Sequence, residues 1–134
     1  MHFALYGRHF GPDAENRIQT LLRHLSDKGA RVTFCQDPAA GVPEDVDIFL
    51  SLGGDGTFLN SLTMVRDSGI PVAGINFGRL GFLTSAGSGD SGCAVLDRML
   101  ERSYSVEKRT LLEVSYGGFP EGFYPYALNE VAIQ

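Results

Sequence analysis

The sequence has few cysteines and no long apolar stretch, and both absences narrow the class of protein. Cys35 and Cys93 are its two cysteines, and they do not form a C-x-x-C pair. We therefore interpret both as reduced, small, buried residues of a cytoplasmic protein, and we do not expect a disulfide. No apolar run approaches the length of a membrane span, and residues 1–8 lack the charged region and the apolar core of a signal peptide.

Basic residues are also scarce. The chain has 11 Lys and Arg against 16 Asp and Glu, a formal net charge of −5, and its basic residues are not clustered. Because nucleic acids and anionic membranes attract clustered positive charge, we expect neither as a partner. Apolar residues make up 43% of the 134 residues. That share is enough for the core of one domain, or of one domain plus part of another.

The most informative stretch covers residues 46–59. Residues 46–52 form a nearly continuous apolar run, which is typical of a strand covered on both faces. The turn after it contains three glycines, where the backbone can adopt positive φ and approach a ligand closely: Gly53, Gly54 and Gly56. Thr57 is expected to cap a helix that opens at Phe58, with free N–H groups facing an anion.

Asp55 is the charged member of this turn. A carboxylate repels phosphate, so a loop that only bound phosphate would not favour it. A carboxylate can instead accept the proton of the hydroxyl that receives the phosphoryl group, or it can bind a Mg²⁺ ion. Together with the glycines, Asp55 therefore predicts phosphoryl transfer. The alternative is a tight strand-to-helix turn with a solvated Asp. Neither the Walker A sequence nor the G-x-G-x-x-G spacing of dinucleotide-binding folds is present.

Strand and helix patterns alternate through the first hundred residues. Apolar runs predict strands at residues 3–6, 31–35, 46–52 and 70–75. Helical spacing predicts a helix opening at Pro12, with Asp13 as its cap, and others over about residues 58–68 and 94–102. This alternation predicts an α/β fold with a parallel sheet and helices on its faces. Ligands bind such sheets at the carboxyl ends of the strands, where the glycine turn and the segment after Ile75 both lie.

That second segment covers residues 74–84. Asn76 offers an amide, and Arg79 lies between Gly78 and Gly81. A phenyl ring of Phe77 or Phe82 offers a stacking face. The segment is a candidate wall of a nucleotide pocket, with Arg79 meeting a phosphate. The alternative is a loop whose phenylalanines enter the core and whose arginine is solvated.

The pattern changes after residue 103. Residues 85–92 are predicted to be a loop, whereas residues 104–116 and 123–134 predict strands joined by a hairpin-type connection. We therefore expect an α/β nucleotide-binding domain at residues 1–103 and the opening strands of an all-β domain at residues 104–134. The chain stops within an apolar run, which we interpret as a fragment of a longer protein or a surface that a partner covers.

Asn129 and Glu130 interrupt the last predicted strand. Adjacent strand residues point to opposite faces, so at least one of the two is expected to meet a ligand or a domain interface. The alternative is an edge strand with one face exposed to solvent.

Three segments together resemble, in order, successive motifs of NAD kinases: residues 53–57, 74–84 and 127–131. Residues 109–112 also resemble the start of that family's second domain. The Gly-Gly-Asp-Gly core is shared with 6-phosphofructokinases and with diacylglycerol and sphingosine kinases, which are the alternative enzymes. The alternative outside the enzymes is a non-catalytic module that only binds a nucleotide.

The resemblance implies a phosphofructokinase-like α/β domain, a β-rich second domain and an active site between them. The family makes NADP by phosphorylating the adenosine-ribose 2′-hydroxyl of NAD, using ATP or polyphosphate and a divalent metal such as Mg²⁺. Its members are commonly homo-oligomers. The family's glycine- and threonine-rich motif of the second domain has no counterpart here, so the isolated chain is expected to be inactive.

The same resemblance assigns roles to single residues. Asp55 matches the carboxylate proposed to orient or deprotonate the hydroxyl, and Gly56 matches backbone beside the nucleotide. Asn129 and Glu130 match a pair that hydrogen-bonds NAD. Phe77 and residues 78–81 match a segment that lines the NAD pocket.

Overall fold

A computed structural model of the chain describes residues 1–8, 11–76, 85–86, 90–122 and 124–128. The chain divides into two compact units, Met1–Tyr104 and Ser105–Gln134. Within the described residues, no helix combines the length and the apolar character that a membrane crossing requires.

A parallel sheet with the strand order β2-β1-β3-β4-β5 forms the centre of the first unit. Its elements follow in chain order: β1 (His2–Gly7), α1 (Pro12–Asp27), β2 (Arg31–Phe34), β3 (Ile48–Leu52), α2 (Asp55–Val65), β4 (Val72–Asn76), β5 (Ser85–Ala86) and α3 (Asp90–Leu100). The predicted α/β architecture is confirmed.

Helices cover both faces of this sheet. Side chains alternate between the faces along each strand, so β1 and β3 supply two separate cores. On one face, α1 and α3 contribute buried side chains that include Leu21, Leu25 and Leu96. On the other face, α2 contributes Met64 and Val65. All five residues of β3 are buried, as the apolar run in the sequence predicts, because the strand has packed neighbours on both sides.

Helix α1 begins at Pro12, as predicted, but its cap differs from the prediction. Gly11 is the N-cap, and no side chain caps the helix. Asp13 lies inside the first turn, where a negative charge favours the positive end of the helix dipole. The helix ends before Lys28, and Gly29 follows with a φ of +77°, the left-handed conformation that glycine adopts readily. The ring of His24 donates to Asp97 of α3 at 2.6 Å.

The segment predicted as a loop at residues 85–92 contains regular structure. Ser85 and Ala86 form β5, which pairs in parallel with Ile75 and Asn76 of β4. Helix α3 begins at Asp90, within the same segment. A strand of two residues has no periodic pattern of its own, and hydrogen bonds to a distant strand produce it.

In the second unit, β6 (Leu112–Glu113) and β7 (Tyr126–Ala127) form an antiparallel pair. Beside them, the Val114 N–H donates to the Pro125 carbonyl oxygen at 2.7 Å. The prediction of strand over residues 104–116 is therefore too long, since pairing there is limited to two residues. Residues 129–134 of the second predicted strand lie outside the described residues.

Candidate functional site

The glycine turn is shorter than the sequence predicts. β3 ends at Leu52 and α2 begins at Asp55, so only two glycines connect them. Gly54 is the N-cap, with an extended backbone (φ −85°, ψ −169°). The Phe58 N–H donates to the Gly54 carbonyl oxygen at 3.1 Å, the first bond of the helix. The predicted opening at Phe58 is therefore wrong by one turn.

Gly53 makes this tight connection possible. Its φ is +145°, a conformation that residues with a side chain rarely adopt. Its N–H donates to the Ile75 carbonyl oxygen at 2.9 Å, which extends the pairing of β3 with β4 by one residue. A Cβ at Gly53 would lie 2.7 Å from Oγ1 of Thr57. Thr57 thus packs over Gly53, and it does not cap the helix as predicted.

Gly54 and Gly56 keep the start of α2 open. A Cβ at Gly54 would lie 3.8 Å from Nδ2 of Asn76, so the structure brings that amide beside the turn. A Cβ at Gly56 would meet nothing within 4 Å. The first turn of an α-helix has N–H groups without intrahelical partners, and these attract anions. This open turn can therefore accept a phosphate at the carboxyl edge of the sheet.

Asp55 is the first residue of α2, and its side chain is half-buried. The sequence pattern assigns it to the turn, whereas the structure places it in the helix that follows. A carboxylate at this position stabilises a helix by about 0.3–1 kcal/mol, through the dipole. It also places a proton acceptor next to backbone N–H donors, which is the pairing that hydroxyl activation beside a phosphate requires.

A polar cluster at the same edge is absent from the sequence-based predictions. The Tyr6 hydroxyl oxygen accepts hydrogen bonds from Nε of Arg8, at 2.8 Å, and from Nδ2 of Asn60 on α2. Tyr6 itself is 3% exposed. The signal in the sequence is a hydroxyl at the end of an apolar strand, two residues before an arginine, since residues i and i+2 share a strand face.

Six predicted site residues lie outside the described residues: Phe77, Gly78, Arg79, Gly81, Asn129 and Glu130. Within the described part of the chain, no group of three or more His, Cys, Asp or Glu side chains could hold a metal ion. Asp55 directly follows the two-glycine turn, as the first residue of α2. One carboxylate combined with substrate phosphates is a common way to bind Mg²⁺, so the turn fits a metal that arrives with a nucleotide.

Gly53→Ala is expected to lower the free energy of unfolding by about 1–3 kcal/mol, because alanine is strained at this φ and its Cβ would contact Thr57. Denaturant midpoints measured on the complete protein check this. Gly56→Ala is the matched control, since its Cβ meets open space inside a helix, and it should not destabilise the protein. Equal midpoints for the two variants would contradict the assignment of strain to Gly53.

Known proteins are similar to this chain across the glycine turn and α2. The family model described as the ATP-NAD kinase N-terminal domain matches residues 37–104. A NAD kinase of Bacteroides fragilis is 31% identical over 150 residues, covering 99% of this chain and 51% of the relative. A NAD kinase of Cytophaga hutchinsonii is 34% identical over 155 residues, covering 99% and 52%. One of Symbiobacterium thermophilum is 48% identical over 117 residues, covering 78% and 41%.

The chain spans about half the length of the curated relatives that match nearly all of it. The matched relatives therefore contain a further portion that these 134 residues do not align with.

Proposed function

Because this chain belongs to the NAD kinase family, we propose that the protein phosphorylates the adenosine-ribose 2′-hydroxyl of NAD to make NADP. The observation that carries the proposal is the position of Asp55. It begins α2 directly after a turn of two glycines, at the carboxyl edge of a parallel sheet and beside the Asn76 amide. Ligands bind open α/β sheets at this edge.

Asp55 serves as the general base. The ribose 2′-oxygen forms a bond to the terminal phosphorus of the donor while the bond from that phosphorus to its bridging oxygen breaks. The hydroxyl proton passes to the Asp55 carboxylate, and the shortened polyphosphate leaves with the bridging oxygen. The open first turn of α2 binds phosphate oxygens through backbone N–H groups. Asn76 orients the nucleotide beside Gly54.

The donor is ATP or polyphosphate, and a Mg²⁺ ion that arrives with it would supply neutralisation of the phosphate charge. Asp55 and the donor phosphates would hold this ion. We propose the same role in NAD binding for the residues that the resemblance assigns to it, Phe77, Asn129 and Glu130 among them. We further propose that the protein is a cytoplasmic homo-oligomer. Cys35 is buried in the core, as a reduced structural cysteine is, which supports a reducing compartment.

The test is NADP formation by a complete protein that contains this chain. Purified protein is incubated with NAD, Mg²⁺ and either ATP or polyphosphate, and an NADP-specific dehydrogenase detects the product. NADH, fructose 6-phosphate, diacylglycerol and sphingosine serve as competing acceptors. Phosphorylation of NAD but not of the sugar phosphate or lipids supports the proposal. Nucleotide binding without turnover would instead identify a non-catalytic module.

The isolated 134-residue chain is expected to self-associate and to form no measurable NADP. Its second unit exposes large apolar side chains, with exposed fractions of 58% for Val106, 46% for Leu112 and 69% for Tyr116. Such surfaces favour association. Sedimentation of the purified chain and the same NADP assay provide the measurements. A monomer that turns over NAD and ATP would refute both expectations and would show that these residues suffice for the chemistry.

A further inference from the structure

The Tyr6 oxygen fixes the side chain of Arg8. Arg8 is exposed, yet its Nε donates to this buried oxygen at 2.8 Å, and Asn60 of α2 donates to the same atom. With Nε occupied, the two terminal nitrogens of the planar guanidinium remain as donors at the outer end of the side chain. The guanidinium is therefore oriented in advance of ligand binding.

Register places Arg8 next to the glycine turn. Gly7 and Leu52, the last residues of β1 and β3, pair in the parallel ladder. Arg8 and Gly53 are therefore the first residues after two neighbouring strand ends. The bond to Tyr6 shows that Arg8 lies on the face covered by α2, since Tyr6 packs in the core that contains Met64. Asn60 is one turn beyond Gly56 and on the same side of the helix. Because Asn60 and Arg8 bind the same Tyr6 oxygen, the Arg8 guanidinium lies about one helical turn from the open start of α2.

Within the described part of the chain, the positive charge of Arg8 is not paired with a carboxylate. Three other arginines of the described chain form ion pairs: Arg31 with Asp45, Arg102 with Asp47 and Arg109 with Glu107. For Arg8 the described contacts include the Tyr6 oxygen but no carboxylate. A guanidinium that one hydrogen bond orients, and that has no carboxylate partner among the described residues, is suited to bidentate contact with a phosphate.

We propose that Arg8 binds a phosphate group of the substrates, with Tyr6 and Asn60 as positioning residues that orient its guanidinium. This inference rests on the proposed function, since it assigns Arg8 to the same site. The phosphate belongs to the ATP or polyphosphate chain, or to the pyrophosphate of NAD. Separate measurements with each ligand distinguish these sources.

Arg8→Gln in the complete protein is expected to weaken phosphate binding about tenfold or more, because it removes charge-assisted hydrogen bonds. Calorimetry with inorganic tripolyphosphate, ATP and NAD measures the dissociation constants without requiring turnover. A loss for tripolyphosphate and ATP alone assigns Arg8 to the donor, whereas a loss for NAD alone assigns it to the acceptor. Arg8→Lys should restore part of the affinity, since it restores the charge but not the fork geometry.

Arg23→Gln is the matched control, because Arg23 is exposed on α1 and its loss changes the net charge equally. The inference is overturned if Arg8→Gln and Arg23→Gln give the same dissociation constants while the wild type binds and phosphorylates NAD. If the wild type binds none of the three ligands, the proposed function fails as well. These two failures are thus distinguishable.

Tyr6→Phe tests the positioning role. It removes the oxygen that holds Nε while leaving the charge of Arg8 in place, so the dissociation constant should rise by less than in Arg8→Gln. Combined with Arg8→Gln, it should add no further loss of affinity, since the two residues act as one unit. An additive loss, together with a lowered melting temperature, would show that Tyr6 acts through stability and would contradict its positioning role.

Discussion

Asp55→Asn is expected to lower the kcat of NADP formation by the complete protein about 10²–10⁴-fold, the usual contribution of a general base. Asparagine retains the size and the hydrogen-bonding ability of the side chain but cannot accept the hydroxyl proton. Because Asp55 also begins α2, the substitution removes a favourable charge at the helix N-terminus. That loss is limited to about 0.3–1 kcal/mol of stability, so the folded protein should persist.

Asp13→Asn separates these two effects. Asp13 lies in the first turn of α1, so this variant removes the same charge from the same kind of position on another helix. Both variants should have a slightly lower melting temperature than the wild type, whereas only Asp55→Asn should lose turnover. Steady-state kinetics and thermal melts on all three proteins provide the measurements. A wild-type kcat for Asp55→Asn would remove Asp55 from the chemistry and leave it only a helix-stabilising role.

Gly54→Val is expected to abolish NADP formation by excluding the nucleotide from the turn. The sequence suggests a second cause, a forbidden positive φ, but the structure has positive φ at Gly53 and an extended backbone at Gly54. Valine is therefore tolerated by the backbone at Gly54. Its methyl groups would occupy the space beside Asn76, into which a Cβ already projects to 3.8 Å from the amide.

Gly11→Val is the matched control for Gly54→Val. Gly11 is the N-cap of α1, also with an extended backbone (φ −69°, ψ 168°), so both variants replace a cap glycine at a cost of about 1 kcal/mol or less. Equal melting temperatures with NADP formation lost only in Gly54→Val would assign the loss to ligand exclusion. Unchanged KM values for ATP and NAD in Gly54→Val would show that the turn does not approach either substrate.

Periodicity and apolar runs in the sequence are sufficient to predict the architecture. The run that contains Ile48–Leu52 predicts a strand buried on both faces, and the structure buries all five residues. Such patterns act locally, since a strand or helix needs its apolar side chains at a fixed spacing wherever it packs. The order of strands and helices then leaves few topologies, and a parallel sheet with helices on both faces is one of them. The glycine turn is likewise identifiable as a candidate site from its residue types alone.

The sequence alone determined the α/β class, the candidate turn and its carboxylate, whereas only the tertiary structure decided how that turn is built. It gives Gly53 its positive φ, makes Thr57 a packing residue and brings Asn60 to Tyr6 across 54 residues. These features depend on which strands pair and in which register, and a register is a long-range contact without a local period. For the same reason the fixed orientation of Arg8 emerges only where β1, β3 and α2 meet.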